Sequence, residues 1–249
     1  MNEIAHNLDH VRERVAEAAL RARRAPDEVT IVAVSKTFPA DAVVAAYQAG
    51  ARHFGENRVE EGSDKIPLVA AQLGDAHPVW HMIGHVQSRK AEDVVAMFDY
   101  VHSVDRLKIA ERFSRCAPPE RAPLPVLLEC NVSGEASKSG FDLAGWQHNA
   151  AQLRAFLADV ARILTLPGLR VEGLMTMAPL VEEPEQVRPV FSSLRALRDV
   201  LRERFPDPGF AGMGWPHLSM GMTDDFQVAV EEGATMVRIG RAIFGARTV

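Results

Sequence analysis

The sequence predicts a (β/α)8 barrel of the TIM type with an extra N-terminal helix. Eight short apolar segments alternate with helical patterns from residue 29 to the C-terminus. Their apolar residues run continuously, which is typical of parallel strands buried on both faces. Eight such units in 249 residues match the size of this barrel, whereas a doubly wound open sheet, the alternative, usually has fewer strands. We therefore expect one barrel domain over residues 1–249.

The extra helix is predicted over residues 2–24 and is expected to pack, as segment 1–25, on the barrel. Apolar side chains recur there at helical spacing, and Pro26-Asp27 ends the pattern. The apolar face is predicted to contain Ile4, Leu8, Val11, Val15 and Leu20. The eight strands are predicted, in order, at 29–34, 52–55, 79–84, 100–104, 125–132, 170–177, 217–221 and 236–240.

Composition excludes several classes of protein. The formal net charge is −5, which gives no support to a nucleic-acid or anionic-membrane partner. No apolar run approaches the roughly 20 residues that a membrane helix needs, and the charged N-terminus does not resemble a signal peptide. Cys116 and Cys130 lie far apart outside any metal-ligand spacing. We therefore expect a cytoplasmic protein with two reduced thiols.

A lysine follows the first predicted strand, where barrels of this type place their active sites. Only five of the 28 basic residues are lysines, so the chain uses arginine where positive charge alone is needed. Desolvation in a barrel mouth would lower the pKa of the Lys36 amine, and the neutral amine can attack an aldehyde. Alternatively, Lys36 forms an ion pair that only structures its loop.

Small and hydroxyl residues follow the seventh and eighth strands, whose loops bind phosphate in many barrels. They are Ser219, Gly221 and Thr223 after strand seven and Gly240 after strand eight. The alternative is that these residues serve ordinary turns and helix capping. Together with Lys36, however, they indicate an aldehyde that carries a phosphate, and pyridoxal 5′-phosphate (PLP) fits this description.

Three further features carry less weight. His77, His81 and His85 recur every four residues, but the segment is predicted as a strand and turn, so a metal site is not favoured. Lys138 could contact an anionic ligand, but it is interpreted as a solvated loop lysine. Glu56 is interpreted as a carboxylate at a helix start, favoured there by the helix dipole, rather than as a general base.

Seven segments, in order, resemble the pyridoxal phosphate homeostasis protein family, which is similar to the N-terminal barrel of alanine racemase. The resemblance runs from about residue 30 to the C-terminus. The segments are AVSKTFPADAV, FGENRVEE, WHMIGHVQSRK, VHSVDRLKIAERF, SKSGF, VEGLMTMAP and LSMGMTDDFQVAVEEGATMVRIGRAIFGAR.

This resemblance implies that PLP is bound as an internal aldimine on Lys36. It further implies a phosphate site at Ser219, Thr223 and the backbone around Gly240, with Arg238 facing the pyridine nitrogen. Asn57 and His81 match positions that line the cofactor pocket. The family is described as holding and delivering PLP, without an established reaction of its own. Apo PLP-dependent enzymes are therefore its expected transient partners.

The sequence departs from the family pattern near strand three. Arg89 stands where the family usually has asparagine, and His85-Val86 is also less usual. These changes affect the expected rim of the pocket. Thr223 stands where serine is common, which should preserve the hydroxyl contact.

Three functions compete on this evidence: a PLP carrier, a PLP enzyme such as a racemase, and a Schiff-base aldolase acting on a sugar phosphate. A racemase of this fold uses a second, β-rich domain and an opposing tyrosine. The chain ends at the eighth unit, and its two tyrosines, Tyr47 and Tyr100, are predicted on a helix and at the bottom of strand four. We therefore favour the carrier and expect a monomer.

Overall fold

A closed barrel of eight parallel strands forms the centre of the computed structural model, which describes residues 3–206 and 214–246. Each strand pairs with the next along the chain, and the last pairs with the first. The (β/α)8 prediction is confirmed. The barrel strands are β1 Thr30–Val34, β2 His53–Glu56, β3 Val79–Met82, β4 Tyr100–Val104, β5 Leu124–Asn131, β7 Leu169–Met175, β8 His217–Ser219 and β9 Met236–Ile239.

The sequence pattern missed one short strand. Strand β6, Phe141–Asp142, pairs in parallel with the end of β5, where Cys130 lies opposite Phe141. Two residues are too few to show a strand periodicity. The strand therefore became visible only through its partner.

A helix follows every barrel strand and covers the outside of the sheet. The continuous apolar pattern of the strands is explained by this covering, because their outer faces pack on helices and their inner faces on one another. These helices are α2 Ala40–Gln48, α3 Val59–Leu73, α4 Ala91–Met97, α5 Leu107–Cys116, α6 Ala150–Ile163, α7 Arg188–Arg204, α8 Phe226–Glu231 and α9 Arg241–Phe244.

The N-terminal helix α1, Glu3–Arg21, packs outside the barrel against α8 and α9. Arg14 Nη2 donates to Gln227 Oε1 at 2.7 Å, and Asn7 Nδ2 donates to the carbonyl of Ile243 at 3.1 Å. The expectation for Leu20 was wrong, since its side chain is 65% exposed. After Val15, the next positions on the buried face are Ala18 and Ala19, and Leu20 lies about 140° from that face at 3.6 residues per turn.

The interior of the barrel is partly polar. A small apolar layer from four different strands contains Tyr100, Leu127, Met175 and Met236. Buried histidine, glutamate, serine and arginine side chains share the strands of this layer. The larger apolar core lies between the sheet and the helices, so it stabilises the fold and leaves the interior of the barrel available for polar groups.

Both cysteines are free, as expected, and Cys130 is buried in β5. Burial raises the pKa of its thiol well above the usual value. Within the two described stretches, no helix is both long and apolar enough to cross a membrane.

Candidate functional site

A cavity of about 390 Å³ opens at the carboxyl ends of the strands. Residues that follow β1, β2, β3, β7, β8 and β9 line it. Five of the seven predicted site residues are among them: Lys36, Asn57, Thr223, Arg238 and Gly240. Their convergence follows from topology, because parallel strands of a barrel end on the same face.

Lys36 is the second residue after β1 and is half-buried. The preceding Ser35 is fully buried, and its N–H donates to the carbonyl of Gly55 on the neighbouring strand. The following Thr37 has a φ of 69°, a left-handed conformation that is unusual for a β-branched residue. Its N–H donates to the Glu61 carboxylate. The backbone around Lys36 is thus fixed on both sides.

A buried lysine supports this segment from below. Lys65 Nζ donates to the carbonyl of Ser35 at 2.7 Å, to Glu56 Oε1 at 2.7 Å and to Glu61 Oε1 at 2.8 Å. The interpretation of Glu56 as a helix-start carboxylate was therefore wrong. Glu56 ends β2, is fully buried and also accepts from Ser35 Oγ. Burial raises its pKa, while the bonds from Lys65 and Ser35 act to lower it.

Arg238, on β9, places its positive charge at the base of the cavity. The side chain is 4% exposed, and it donates to Ser219 Oγ at 2.6 Å and to the carbonyl of Thr176 at 2.9 Å. Burial lowers the pKa of Arg238 to about 10, although the carboxylates of Asp225 and Glu129 act to raise it. The guanidinium is therefore still positive at neutral pH.

Ser219 and His81 are not among the residues that line the cavity. Ser219 is fully buried below it, where its Oγ accepts from Arg238 and lies 2.9 Å from His102 Nδ1. His81 lies deeper, with ring nitrogens 3.0 Å from His53 and 2.8 Å from His102. Sequence reasoning missed His53 and His102. Alternation along YVHSV could have signalled that His102 shares the inward face of Tyr100.

Two glycines allow close backbone approaches around the cavity. A Cβ on Gly84 would lie 2.1 Å from the carbonyl oxygen of Asn57. The loop after β3 can therefore pass this close to Asn57 only because residue 84 is a glycine. Gly221 has a φ of 94°, and a Cβ there would lie 2.9 Å from Phe226 Cα. Such conformations and contacts exclude side chains. Gly84 and Gly221 therefore set the positions of Asn57 and of the loop that carries Thr223.

The rim contains ion pairs. Arg241 pairs with Asp224 at 2.6 Å, and both side chains are exposed. His85 Nδ1 lies 2.8 Å from Asp105 Oδ2, and Arg89 is exposed with its Nε donating to Gln87.

The remaining candidates lie at positions apart from the cavity lining. Lys138 is half-buried, with its Nζ 3.4 Å from the carbonyl of Ala178 and 3.7 Å from Glu135. It is therefore not the solvated lysine that the loop composition predicted. Over residues 3–206 and 214–246, no group of three or more histidine, cysteine or acidic side chains could hold a metal ion.

The comparisons with known proteins agree with this architecture. Residues 2–248 match the family described as "Alanine racemase, N-terminal domain", which defines the class of barrel. An alanine racemase of Clostridium difficile 630 shares this fold at a TM-score of 0.69 and 15% identity, over 98% of this chain and 56% of the racemase.

More similar relatives identify the family within this class. The pyridoxal phosphate homeostasis protein of Escherichia coli K12 is 46% identical over 99% of this chain and 98% of its own length. That of Pseudomonas aeruginosa PAO1 is 44% identical over 99% and 97%. PipY of Synechococcus elongatus PCC7942, solved with PLP bound, is 35% identical with a TM-score of 0.75 over 97% of this chain and 100% of PipY. The chain belongs to the pyridoxal phosphate homeostasis protein family.

Proposed function

We propose that this protein binds PLP in the cavity at the strand ends, holds it through a covalent bond to Lys36 Nζ, and takes part in PLP homeostasis. The observation that carries the proposal is the convergence of an amine, a buried guanidinium and a hydroxyl around one cavity, at Lys36, Arg238 and Thr223. PipY, which covers nearly the whole chain, supports the choice of PLP.

The residues present fit the chemical groups of this cofactor. An aldehyde requires a primary amine, which Lys36 supplies at the end of β1. A ring nitrogen with a lone pair requires a donor, and Arg238 can only donate. A phosphate requires several donors, which the Thr223 hydroxyl and the backbone around Gly240 can provide. The volume of about 390 Å³ lies within the range of small-molecule sites.

Two of the expected site residues receive another role in this proposal. Ser219 and His81 are buried beneath the cavity, and Ser219 is hydrogen-bonded to Arg238. We assign Ser219 to the positioning of Arg238 rather than to direct phosphate binding. The phosphate is then held mainly by Thr223 and backbone N–H groups, while Asn57 lines the wall.

The surroundings of Arg238 argue against a reaction of the protein's own. When bound, PLP supplies an electron sink that acidifies the Cα–H of an amino acid, most strongly with a protonated ring nitrogen. A guanidinium at that nitrogen keeps its own proton at neutral pH and leaves the ring unprotonated.

The two tyrosines are not placed to act as an opposing base. Tyr47 lies on α2 beneath Arg52, and Tyr100 donates to Glu172 inside the barrel. We therefore propose a carrier without a reaction of its own. We further propose that it is a monomer in the cytoplasm and that its partners are apo PLP-dependent enzymes, which it meets transiently.

An absorbance spectrum before and after borohydride reduction tests the site. The protein loaded with PLP should show a visible band, and reduction should leave a stable mass adduct on Lys36. Lys36→Ala should lose both, whereas the control Lys138→Ala should keep both. An adduct on Lys138 or Lys65 would overturn the assignment, and a colourless protein that captures a sugar-phosphate carbonyl on Lys36 would favour an aldolase.

A second measurement separates the carrier from an enzyme. The loaded protein should restore activity to an apo PLP enzyme, and it should racemise or transaminate L-alanine and L-serine no faster than free PLP does. Robust turnover that disappears in Lys36→Ala would favour the enzyme.

A further inference from the structure

A continuous chain of hydrogen-bonded side chains crosses the interior of the barrel. His53 Nδ1 lies 3.0 Å from His81 Nε2, His81 Nδ1 lies 2.8 Å from His102 Nε2, and His102 Nδ1 lies 2.9 Å from Ser219 Oγ. Ser219 then accepts from Arg238 at 2.6 Å. The chain thus leads from β2 to the guanidinium at the base of the candidate site.

The strand registers make this chain climb through the barrel. His53 pairs with Val79, two residues before His81. His81 pairs with Tyr100, two residues before His102. Each step therefore keeps the inward face and rises by two residues towards the carboxyl ends. The lower end, His53, is half-buried and lines a cavity of about 500 Å³ beside α1, while His81 and His102 are buried.

The direction of the hydrogen bonds follows from the upper end. A guanidinium has no acceptor, so Ser219 Oγ must accept from Arg238. Among the described residues, His102 Nδ1 is the other hydrogen-bond partner of Ser219 Oγ, so the hydroxyl proton of Ser219 finds an acceptor when it points to that nitrogen. A neutral imidazole carries one N–H, so His102 donates from Nε2 to His81 Nδ1, and His81 donates from Nε2 to His53 Nδ1. Burial lowers the pKa of all three rings, which keeps them neutral at pH 7.

We propose that His53, His81 and His102 are positioning residues that hold the Ser219–Arg238 pair through a directional relay, and that protonation of His53 reverses this relay. A doubly protonated His53 must donate from Nδ1, so His81 has to accept at Nε2 and carry its proton on Nδ1. His102 changes in the same way and donates to Ser219. The Ser219 hydroxyl then accepts twice, and its own proton turns away from the chain.

Other charged and titratable groups face the relay from the elements around it. Tyr100 stacks on His81, but its hydroxyl donates a hydrogen bond to Glu172, so Tyr100 is not part of the hydrogen-bonded histidine chain. His217 lies 3.2 Å from Thr235 Oγ1 and 3.9 Å from Glu172. The other facing groups are Arg12, Asp27 and Arg52 around the lower cavity, Arg170 beside Glu172, and Glu129 and Asp225 around Arg238.

Imidazole nitrogen NMR of the ¹⁵N-labelled protein without PLP tests the relay directly, because it distinguishes Nδ1–H from Nε2–H tautomers. At about pH 8, both His81 and His102 should carry the proton on Nε2. Acidification through the titration of His53 should convert both to Nδ1–H, with the same midpoint as His53 itself. His53→Gln should abolish this conversion, and the control His217→Gln should retain it.

Either of two NMR results would overturn the proposal. One is His102 with its proton on Nδ1 at about pH 8. The other is a pair of tautomers that stay unchanged while His53 titrates. This measurement needs no bound cofactor, so it stands if the proposed function fails.

The link to the site, which rests on the proposed function, is tested by PLP affinity. His102→Leu removes the acceptor of the Ser219 proton and should weaken PLP binding roughly tenfold, the effect of one lost hydrogen bond near a charged group. His102→Gln offers an amide oxygen to Ser219 and should recover most of this loss. Equal affinities for the Leu variant and the unmodified protein would remove the positioning role.

Discussion

The buried ion pair beneath Lys36 gives the sharpest stability prediction. Lys65→Met removes an amine that is 6% exposed and donates three hydrogen bonds of 2.7–2.8 Å. The methionine keeps most of the side-chain volume, so the change is mainly electrostatic. Glu56 then stays buried with Ser35 Oγ as the donor that this structure gives it.

The expected loss follows from the charge left behind. Breaking a buried pair by removing one partner costs about 3–5 kcal/mol. At roughly 2–4 °C per kcal/mol for a chain of this size, Tm should fall by about 6–20 °C. The loss should be smaller at low pH, because protonation of Glu56 removes its charge. Lys65→Met/Glu56→Gln leaves neither member of this buried pair charged, so this double variant should be more stable than Lys65→Met.

Thermal unfolding followed by circular dichroism at about pH 5 and pH 8 measures these differences. Lys108→Met is the matched control, since Lys108 is exposed on α5, and its effect should stay within about 0.5 kcal/mol. A loss under about 1 kcal/mol for Lys65→Met would refute the reasoning. So would a double variant less stable than the single one.

Three further changes test other parts of the structure. Burial, with the charge of Asp105 adding to it, raises the pKa of Glu129 to about 7, so the stability that this group contributes is present below about pH 4.5 and is lost as the pH rises towards 7. Glu129→Gln should therefore gain stability relative to the unmodified protein between pH 5 and pH 8, by at most about 3 kcal/mol. A difference in Tm that stays constant over this range would contradict the prediction. Gly84→Ala sets a Cβ 2.1 Å from a backbone oxygen and should cost about 1–3 kcal/mol of unfolding free energy, whereas an unchanged urea midpoint would show that the loop moves freely. In equilibrium titrations, Thr223→Ala should weaken the binding of PLP by about 1.5–3 kcal/mol and hardly change the binding of pyridoxal. Equal losses of affinity for both ligands would contradict the assignment of Thr223 to the phosphate.

The fold was readable from the sequence because its strands are continuous apolar segments set between amphipathic helices. All eight predicted strands occur, and their ends differ from the prediction by at most two residues. The exceptions have local causes. Strand β6 depends on its partner rather than on its own two residues, and Leu20 lies off the face that its neighbours Ala18 and Ala19 bury.

The lining of the candidate site was predictable for a topological reason. A residue one or two positions after a barrel strand reaches the mouth: Asn57 and Gly240 directly follow β2 and β9, and Lys36 is the second residue after β1. Ser219 is still the last residue of β8, and His81 lies within β3. One or two residues along an inward-facing strand therefore decide between the wall of the cavity and the layer beneath it.

The histidine relay is the part that the sequence could not predict, because it depends on register. The spacings between His53, His81 and His102 include helices and loops of arbitrary length, so the spacings themselves carry no signal. The barrel closure aligns them: each strand is offset so that an inward residue meets the one two positions further along the next strand. The same offset recurs across the barrel, where Ser219 pairs with Met236, two residues before Arg238. The same register offset thus places the side chains in both halves of the hydrogen-bonded chain. It explains how His53, at the lower end of β2, belongs to the same network as Arg238 under the barrel mouth.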